Sequence, residues 1–226
     1  MNPPARAWFI TGTDTEIGKT FATTILIHAF RNQGFTTLGM KPVAAGAEKV
    51  DGQLINDDVV RIRAASSFDP GITLQSPYCL RTPASPHIAA RKDSVHIDPM
   101  RITQAFVTLR NQCERLLVEG VGGFRVPLGE HFDSADLACE LAVPVILVVG
   151  LRLGCINHAL LTMEAIKARG LRLAGWVANA IDPAFLHPEG SIELLHRRLD
   201  IPFLGTIPYS PGVPPANLAY LITLPT

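Results

Sequence analysis

The nine residues Gly12-Thr13-Asp14-Thr15-Glu16-Ile17-Gly18-Lys19-Thr20 follow a short apolar run, Ala7 to Thr11, and lead into a stretch of helical period, Lys19 to Asn32, that Gly34 closes. A turn of this kind, ending on Gly-Lys-Thr between a strand and a helix, reads as a phosphate-binding loop. Its backbone N–H groups converge on phosphate oxygens and the helix N-terminus adds partial positive charge. Lys19 reaches the terminal phosphates, and Thr20 offers its hydroxyl to Mg²⁺. Five residues separate Gly12 from Gly18, one more than in the common G-x-x-x-x-G-K-[ST] pattern. The plainer reading, a turn that needs glycine for its backbone angles alone, does not account for Lys-Thr directly after Gly18.

Outward from this loop, short β-branched runs alternate with helical stretches, the pattern of parallel βαβ units. Strands are expected at Thr36–Met40, Arg115–Val118, Val143–Val149, Leu173–Asn179 and Phe203–Ile207. The runs at 115–118 and 143–149 are nearly continuous in apolar residues, as central strands buried on both faces require. Helices are expected at Asn56–Ala65, Asp98–Cys113, Ile156–Ala168 and around Ser191–Leu199. Ala44–Gly52 and Phe68–Pro86, rich in Gly, Pro and Ser, read as mobile loops. With no repeat and no break in composition, residues 1–226 form one α/β domain, a mostly parallel sheet with helices on both faces.

Composition narrows the function. Of 226 residues, 47% are hydrophobic and 18% charged, which supplies a core and excludes global disorder. Twenty basic residues balance twenty acidic ones, so the broad positive field of a nucleic-acid binder is missing and any anion must be held locally. Cys79, Cys113, Cys139 and Cys155 form no C-x-x-C pair, which argues against a zinc knuckle or a disulfide framework and fits a reducing cytoplasm. The opening Met1-Asn2-Pro3-Pro4 lacks the long apolar region of a signal peptide, and no run approaches membrane-spanning length.

A phosphate loop needs a carboxylate for its metal, and Leu116-Leu117-Val118-Glu119 places one at the end of a buried strand. The glycines that follow, Gly120, Gly122 and Gly123, let backbone pass close to a ligand. Asn56-Asp57-Asp58 opens a helix and serves either as an N-cap or as a further source of metal-facing oxygen. Lys41 ends the second strand ahead of Pro42, at the sheet edge where open α/β folds bind ligands. Two lysines facing one phosphate stabilise charge that develops during phosphoryl transfer.

Taken with Lys41-Pro42-Val43-Ala44, Val118-Glu119-Gly120, Pro144 to Gly150, Leu153-Gly154-Cys155-Ile156-Asn157-His158-Ala159 and Gly175-Trp176-Val177-Ala178-Asn179, the loop resembles that of the ATP-dependent dethiobiotin synthetases. The resemblance runs from about Phe9 to Tyr209, and the long phosphate loop is itself characteristic of the family. It implies a P-loop NTPase-type fold, a homodimer, and a step of biotin synthesis. In that step 7,8-diaminononanoate, CO₂ and ATP give dethiobiotin, ADP and phosphate through a carbamate and a carbamic–phosphoric anhydride. By position, the resemblance assigns Thr15, Glu16, Ile17, Gly18, Lys19, Thr20 and Phe21 to the ATP phosphates, and Thr20, Asp58 and Glu119 to Mg²⁺. It gives catalysis to Lys19 and Lys41, and further ATP contacts to Gly120, Val121 and Gly122. Asn179 and Ala180 meet the adenine, lined by Pro208, Tyr209 and Ser210. Lys41, Ala45 and the segment Gly154, Cys155, Ile156 and Asn157 meet the organic substrate, the last four across the dimer interface.

Two features depart from the family. Ala45 stands where a serine hydroxyl is usual, and beyond Ser210 the prolines Pro211, Pro214 and Pro215 replace a more polar segment. His87 reads as a solvated loop residue or a substrate contact, Cys155 as packing, and Trp176 as core. A nucleotide switch of the ParA/MinD type shares this architecture, but such proteins usually carry a lysine early in the loop, where Thr13 and Asp14 stand here. An amidotransferase relative would need a glutaminase domain, for which 226 residues leave no room.

Overall fold

The computed structural model describes residues 6–225. Strand β1 (Arg6–Gly12) runs into the phosphate loop and helix α1 (Lys19–Asn32), then β2 (Thr37–Met40) and β3 (Val43–Ala45). A hairpin, β4 (Glu48–Val50) and β5 (Gln53–Ile55), precedes α2 (Asp57–Ala65), α3 (Ile72–Gln75), β6 (Tyr78–Leu80) and α4 (Pro86–Lys92). Next come α5 (Pro99–Arg110), β7 (Arg115–Glu119), α6 (Ser134–Leu141), β8 (Val145–Leu151) and α7 (Cys155–Ala168). The chain finishes with β9 (Leu173–Ala180), α8 (Pro188–Leu199), β10 (Phe203–Ile207) and a 3₁₀ helix at Pro215–Leu221.

Six strands form one sheet in the order β10-β9-β8-β1-β7-β2, parallel throughout. Side chains alternate across it, as the two-residue period of a strand dictates. Phe9, Leu116, Val118, Leu147 and Trp176 pack on one face with α5, α6, α7 and α8. Trp8, Ile10, Leu117, Val148 and Val177 pack on the other with α1, α2 and the 3₁₀ helix. Trp176 is fully buried, as expected of core.

Strand order reverses direction around β1, so the phosphate loop leaves the sheet at its switch point, where ligands of open α/β sheets bind. Parallel register does the rest of the positioning. Met40 pairs with Val118, which brings Lys41 level with Glu119.

Two expectations are corrected. Residues 44–52 are largely ordered strand, since β3 pairs with β6 and β4 with β5 around a turn at Asp51 and Gly52. The 68–86 stretch is likewise no plain loop: it carries α3 and β6, and the Gln75 carbonyl accepts the Lys41 N–H at 2.8 Å.

Candidate functional site

Gly18 is the N-cap of α1 at φ 75°, a left-handed angle that favours glycine, and a methyl group there would overlap the Asn179 amide. No side chain caps this helix start and its first turn has no acid, so the N–H groups of α1 remain available to an anion. Lys19 folds back, its Nζ donating to the Asp14 carbonyl at 2.7 Å. Asp14 is in turn ion-paired with Arg152 beyond the end of β8, which ties the loop to the next strand.

Behind the loop lies a charged cluster. Lys41 Nζ donates to Glu119 Oε1 at 2.5 Å and to Asp58 Oδ2 at 2.9 Å. The Thr20 hydroxyl donates to the same Glu119 oxygen at 2.8 Å. Glu119 is 0% exposed and its second oxygen, Oε2, is buried with no hydrogen-bond partner among the described residues. Burial alone would lower the Lys41 pKa, but Glu119 and Asp58 outweigh it and hold the ammonium above its usual range. For Asp58, burial is outweighed by Lys41 and the Thr20 hydroxyl, and the carboxyl sits below its usual range. Lys19 lacks such close support: burial, then repulsion from Lys41, bring it down from 10.5 to about 8.

Two cavities meet at the loop. One, of about 730 Å³, is lined by Thr15, Lys19, Thr20, Lys41, Ala45 and Asp58, among others. Val121, Gly122, Arg125 and Ser85 complete its far wall. The second, of about 740 Å³, lies between Phe21, Thr24 and His28 of α1, Ala64 and Ala65 of α2, and the segment Asn179–Ile181. Residues 208–215 close it, so the divergent prolines line a cavity wall. Glu16, Gly18, Phe21 and Arg61 belong to both cavities.

Most of the residues singled out by sequence therefore converge. Asn179, 3% exposed, donates from Nδ2 to the Ile17 carbonyl at 2.8 Å and so braces the loop as well as lining the second cavity. Asn56 caps α2, accepting from the Asp58 and Val59 N–H groups, while Asp58 turns to the cluster. Glu119 and Gly120 lie behind the first cavity, around a void of about 10 Å³. Gly154 to Asn157 lie outside both cavities of this chain: Cys155 is buried, and Gly154 and Asn157 face solvent at the start of α7. His87 likewise stays off the cavity wall, its Nδ1 3.2 Å from the Ser85 hydroxyl. Sequence reasoning missed Arg61, His28 and Arg125. Only the first two carry a readable signal, a helical spacing from Asp58 to Arg61 and from Thr24 to His28.

Comparison with known proteins identifies the family. A family model described as an AAA domain matches residues 6–217. An ATP-dependent dethiobiotin synthetase BioD of Aromatoleum aromaticum is 60% identical over 220 residues, covering 97% of this chain and 98% of its own length. The protein of the same name from Xanthomonas axonopodis pv. citri is 47% identical over 219 residues, covering 97% and 98%. Among solved structures, the Pyrococcus furiosus cell division ATPase MinD aligns at a TM-score of 0.56 and 17% identity, covering 95% of this chain and 87% of that one. A ParA family ATPase from Chlorobium tepidum aligns at 0.59 and 13%, covering 91% and 85%. The two structural likenesses show the fold alone, whereas identity over nearly the whole length carries the stronger conclusion: the chain belongs to the ATP-dependent dethiobiotin synthetases, and its 6–217 region to the AAA-domain family.

Proposed function

We propose that the chain, acting as one catalytic domain, uses ATP and CO₂ to close 7,8-diaminononanoate into dethiobiotin, with ADP and phosphate as by-products. The observation that carries this reading is the pairing of Lys41 with Glu119, Asp58 and, through Glu119, Thr20, next to a phosphate loop. A nucleotide switch needs the loop, with any second lysine inside the loop itself, and has no use for one at the end of the second strand that lines a cavity large enough for a small organic substrate.

The residues fit Mg²⁺. Thr20, Asp58 and Glu119 supply hard oxygen donors, and the orphaned Glu119 Oε2 is a buried acceptor in want of a cation or a water. When bound, the ion neutralises charge on the β- and γ-phosphates.

Everything else in the step falls to side chains and backbone of the chain. The N–H groups of Gly18 to Phe21 hold the phosphates, and Asn179, Ala180 and residues 208–210 hold the adenine. One substrate amine takes up CO₂ as a carbamate. Lys41 and Lys19, at one end of the cavity, stabilise that anion and the transferring phosphoryl group as the carbamate oxygen attacks the γ-phosphate. The second amine then attacks the carbonyl carbon and phosphate leaves. Ala45 brings no hydroxyl to this cavity, so orientation of the amines rests on its neighbours. At the α7 start the Cys155 N–H is bonded to the Arg152 carbonyl at 3.0 Å, and the N–H groups of Ile156 and Asn157 suit the substrate carboxylate of a second copy, in a cytoplasmic homodimer. Among the described residues no helix is long and apolar enough to cross a membrane.

The test is a reconstitution with ATP, Mg²⁺, bicarbonate and diaminononanoate. Dethiobiotin should form with one phosphate released per turnover. ATP binding without dethiobiotin would overturn the reading, and an ATPase stimulated by DNA or lipid yet indifferent to the diamine would favour the switch.

A further inference from the structure

The loop and the two lysines account for the terminal phosphates, and Asn179 with residues 208–210 for the base. Between them the nucleotide must cross the junction of the two cavities, whose shared wall is Glu16, Gly18, Phe21 and Arg61. Arg61 supplies the one positive charge in that wall.

Its place on α2 fixes its register along the ligand. Asp58, Arg61, Ala64 and Ala65 recur at three- and four-residue spacing, so they share one helix face. Asp58 lines only the phosphate cavity, Ala64 and Ala65 only the nucleoside cavity, and Arg61 both. The opposite wall, α1, repeats this order with Gly18 and Phe21 at the junction and Thr24 and His28 deeper in the nucleoside cavity. The two walls are joined by Arg31 of α1, which donates to the Ala65 carbonyl at 2.7 Å. The small side chains at 64 and 65 leave width for a ribose and base, and the first cation met on moving toward the phosphates is Arg61.

Neighbouring arginines are already engaged: Arg63 pairs with Asp69, and Arg31 is bonded as above. Arg61 forms no ion pair among the described residues; it is solvent-exposed and acts on Asp58 only through its field. A guanidinium poised at a cleft junction, with its five donors free, is suited to a phosphate.

We propose that Arg61 contacts the α-phosphate of bound ATP and is a determinant of nucleotide affinity in this chain. The assignment rests on the ATP site described above, and its test requires no turnover. ADP, AMP and adenosine are titrated into wild type, Arg61→Ala and Arg61→Lys without the diamine, at low and at physiological salt. Arg61→Ala should weaken ADP and AMP about tenfold, the loss of one charge-assisted contact, and leave adenosine unchanged. The penalty should shrink as salt rises, because the site is exposed. Arg61→Lys, which keeps the charge without the fork, should recover part of the loss. Unchanged ADP affinity in Arg61→Ala would overturn the proposal, as would an equal loss for adenosine, which would mark a base or packing contact. A protein that binds ADP in this pattern but makes no dethiobiotin would refute the proposed reaction and leave Arg61 where it is.

Discussion

The buried pair at the heart of the site predicts a strong energetic coupling. Lys41 is 4% exposed and Glu119 0% exposed, and they meet at 2.5 Å. In Lys41→Met the Glu119 carboxylate keeps only the Thr20 hydroxyl, and an uncompensated buried charge costs about 3–5 kcal/mol. In Glu119→Gln the ammonium retains Asp58 at 2.9 Å, and that carboxylate is 41% exposed, so the loss should be smaller, about 1–3 kcal/mol. The double variant sets a thioether against a neutral amide, and should lose no more than Lys41→Met alone. The coupling energy is then at least about 1 kcal/mol and favours the pair. Urea is the denaturant of choice because it leaves electrostatics unscreened, and at about 3 kcal/mol per molar a loss of 3 kcal/mol moves the midpoint by about 1 M. Additivity within about 0.5 kcal/mol would refute the reasoning. The same variants test the metal assignment: Mg²⁺ should raise the midpoint of Lys41→Met more than that of wild type, because Lys41 competes for the carboxylates. An equal rise would show that lysine and metal do not share them.

Three further outcomes follow from the same geometry. Lys41→Ala should cut dethiobiotin formation at least about a hundredfold while ADP still binds, and turnover near wild type would remove Lys41 from the catalytic residues. Lys19, lowered to about 8 by burial and by Lys41, should regain its proton when phosphates arrive. Nucleotide binding at pH 8.5 should then take up a proton, read by calorimetry in two buffers of different ionisation enthalpy, and no uptake would count against it. Because the folded value lies below the unfolded one, the nucleotide-free protein should gain stability as pH rises from about 8 to 10.5. Gly39→Ala tests packing alone: a methyl there would overlap Ile62 and Ile27 and push α2 from the sheet. It should cost about 1–3 kcal/mol and weaken ADP through displaced Asp58 and Arg61; an unchanged urea midpoint would refute it.

The phosphate loop and the six sheet strands were legible because each is specified locally, by Gly-Lys-Thr and by short apolar runs, which in β7 and β8 are buried on both faces. Of the elements that sequence reasoning did not resolve, β3 to β6 and α3 span three or four residues apiece, too short for any periodicity, while α4 and the 3₁₀ helix, seven residues each, start at prolines in stretches that read as loop. The shorter ones are held by distant partners, as where the Asn56 amide donates to the Ala45 carbonyl. Helix α6 was overlooked although Asp133 and Asp136 form a capping box that could have announced it. Lys41, Asp58 and Glu119 were each visible as strand-end or helix-start residues, but Lys41 meets Glu119 through the β2–β7 register and Asp58 joins them through the packing of α2, which no single segment encodes. Arg61 was legible only in part. Its helical spacing from Asp58 puts it on the same face, but an arginine there is ordinarily just solvated, and the groove between α1 and α2 shows what it borders.

That groove also changes what the neutral composition means. Twenty bases and twenty acids cancel over the chain, yet around the cavity beside the phosphate loop Lys19, Lys41, Arg61 and Arg125 face Glu16 and Asp58, with Glu119 behind. The surplus is a single charge, with Arg125 already paired to Asp133, against about four on a nucleoside triphosphate, so a divalent ion would narrow the deficit without closing it. Part of the cationic charge is moreover committed within the fold, Lys41 to two carboxylates and Lys19 to the Asp14 carbonyl. On the proposed function, nucleotide and metal would then enter by exchange, Lys19 leaving the Asp14 carbonyl for the phosphates and Asp58 and Glu119 turning from Lys41 to hold the ion. Under that proposal Lys41 would be released toward the carbamate only once both are bound. On that logic ATP and Mg²⁺ should each tighten the other in wild type, and the mutual gain should fall in Lys41→Met, where no lysine has to be displaced. Equal synergy in both proteins would separate Lys41 from the metal site and leave its role to the substrate alone.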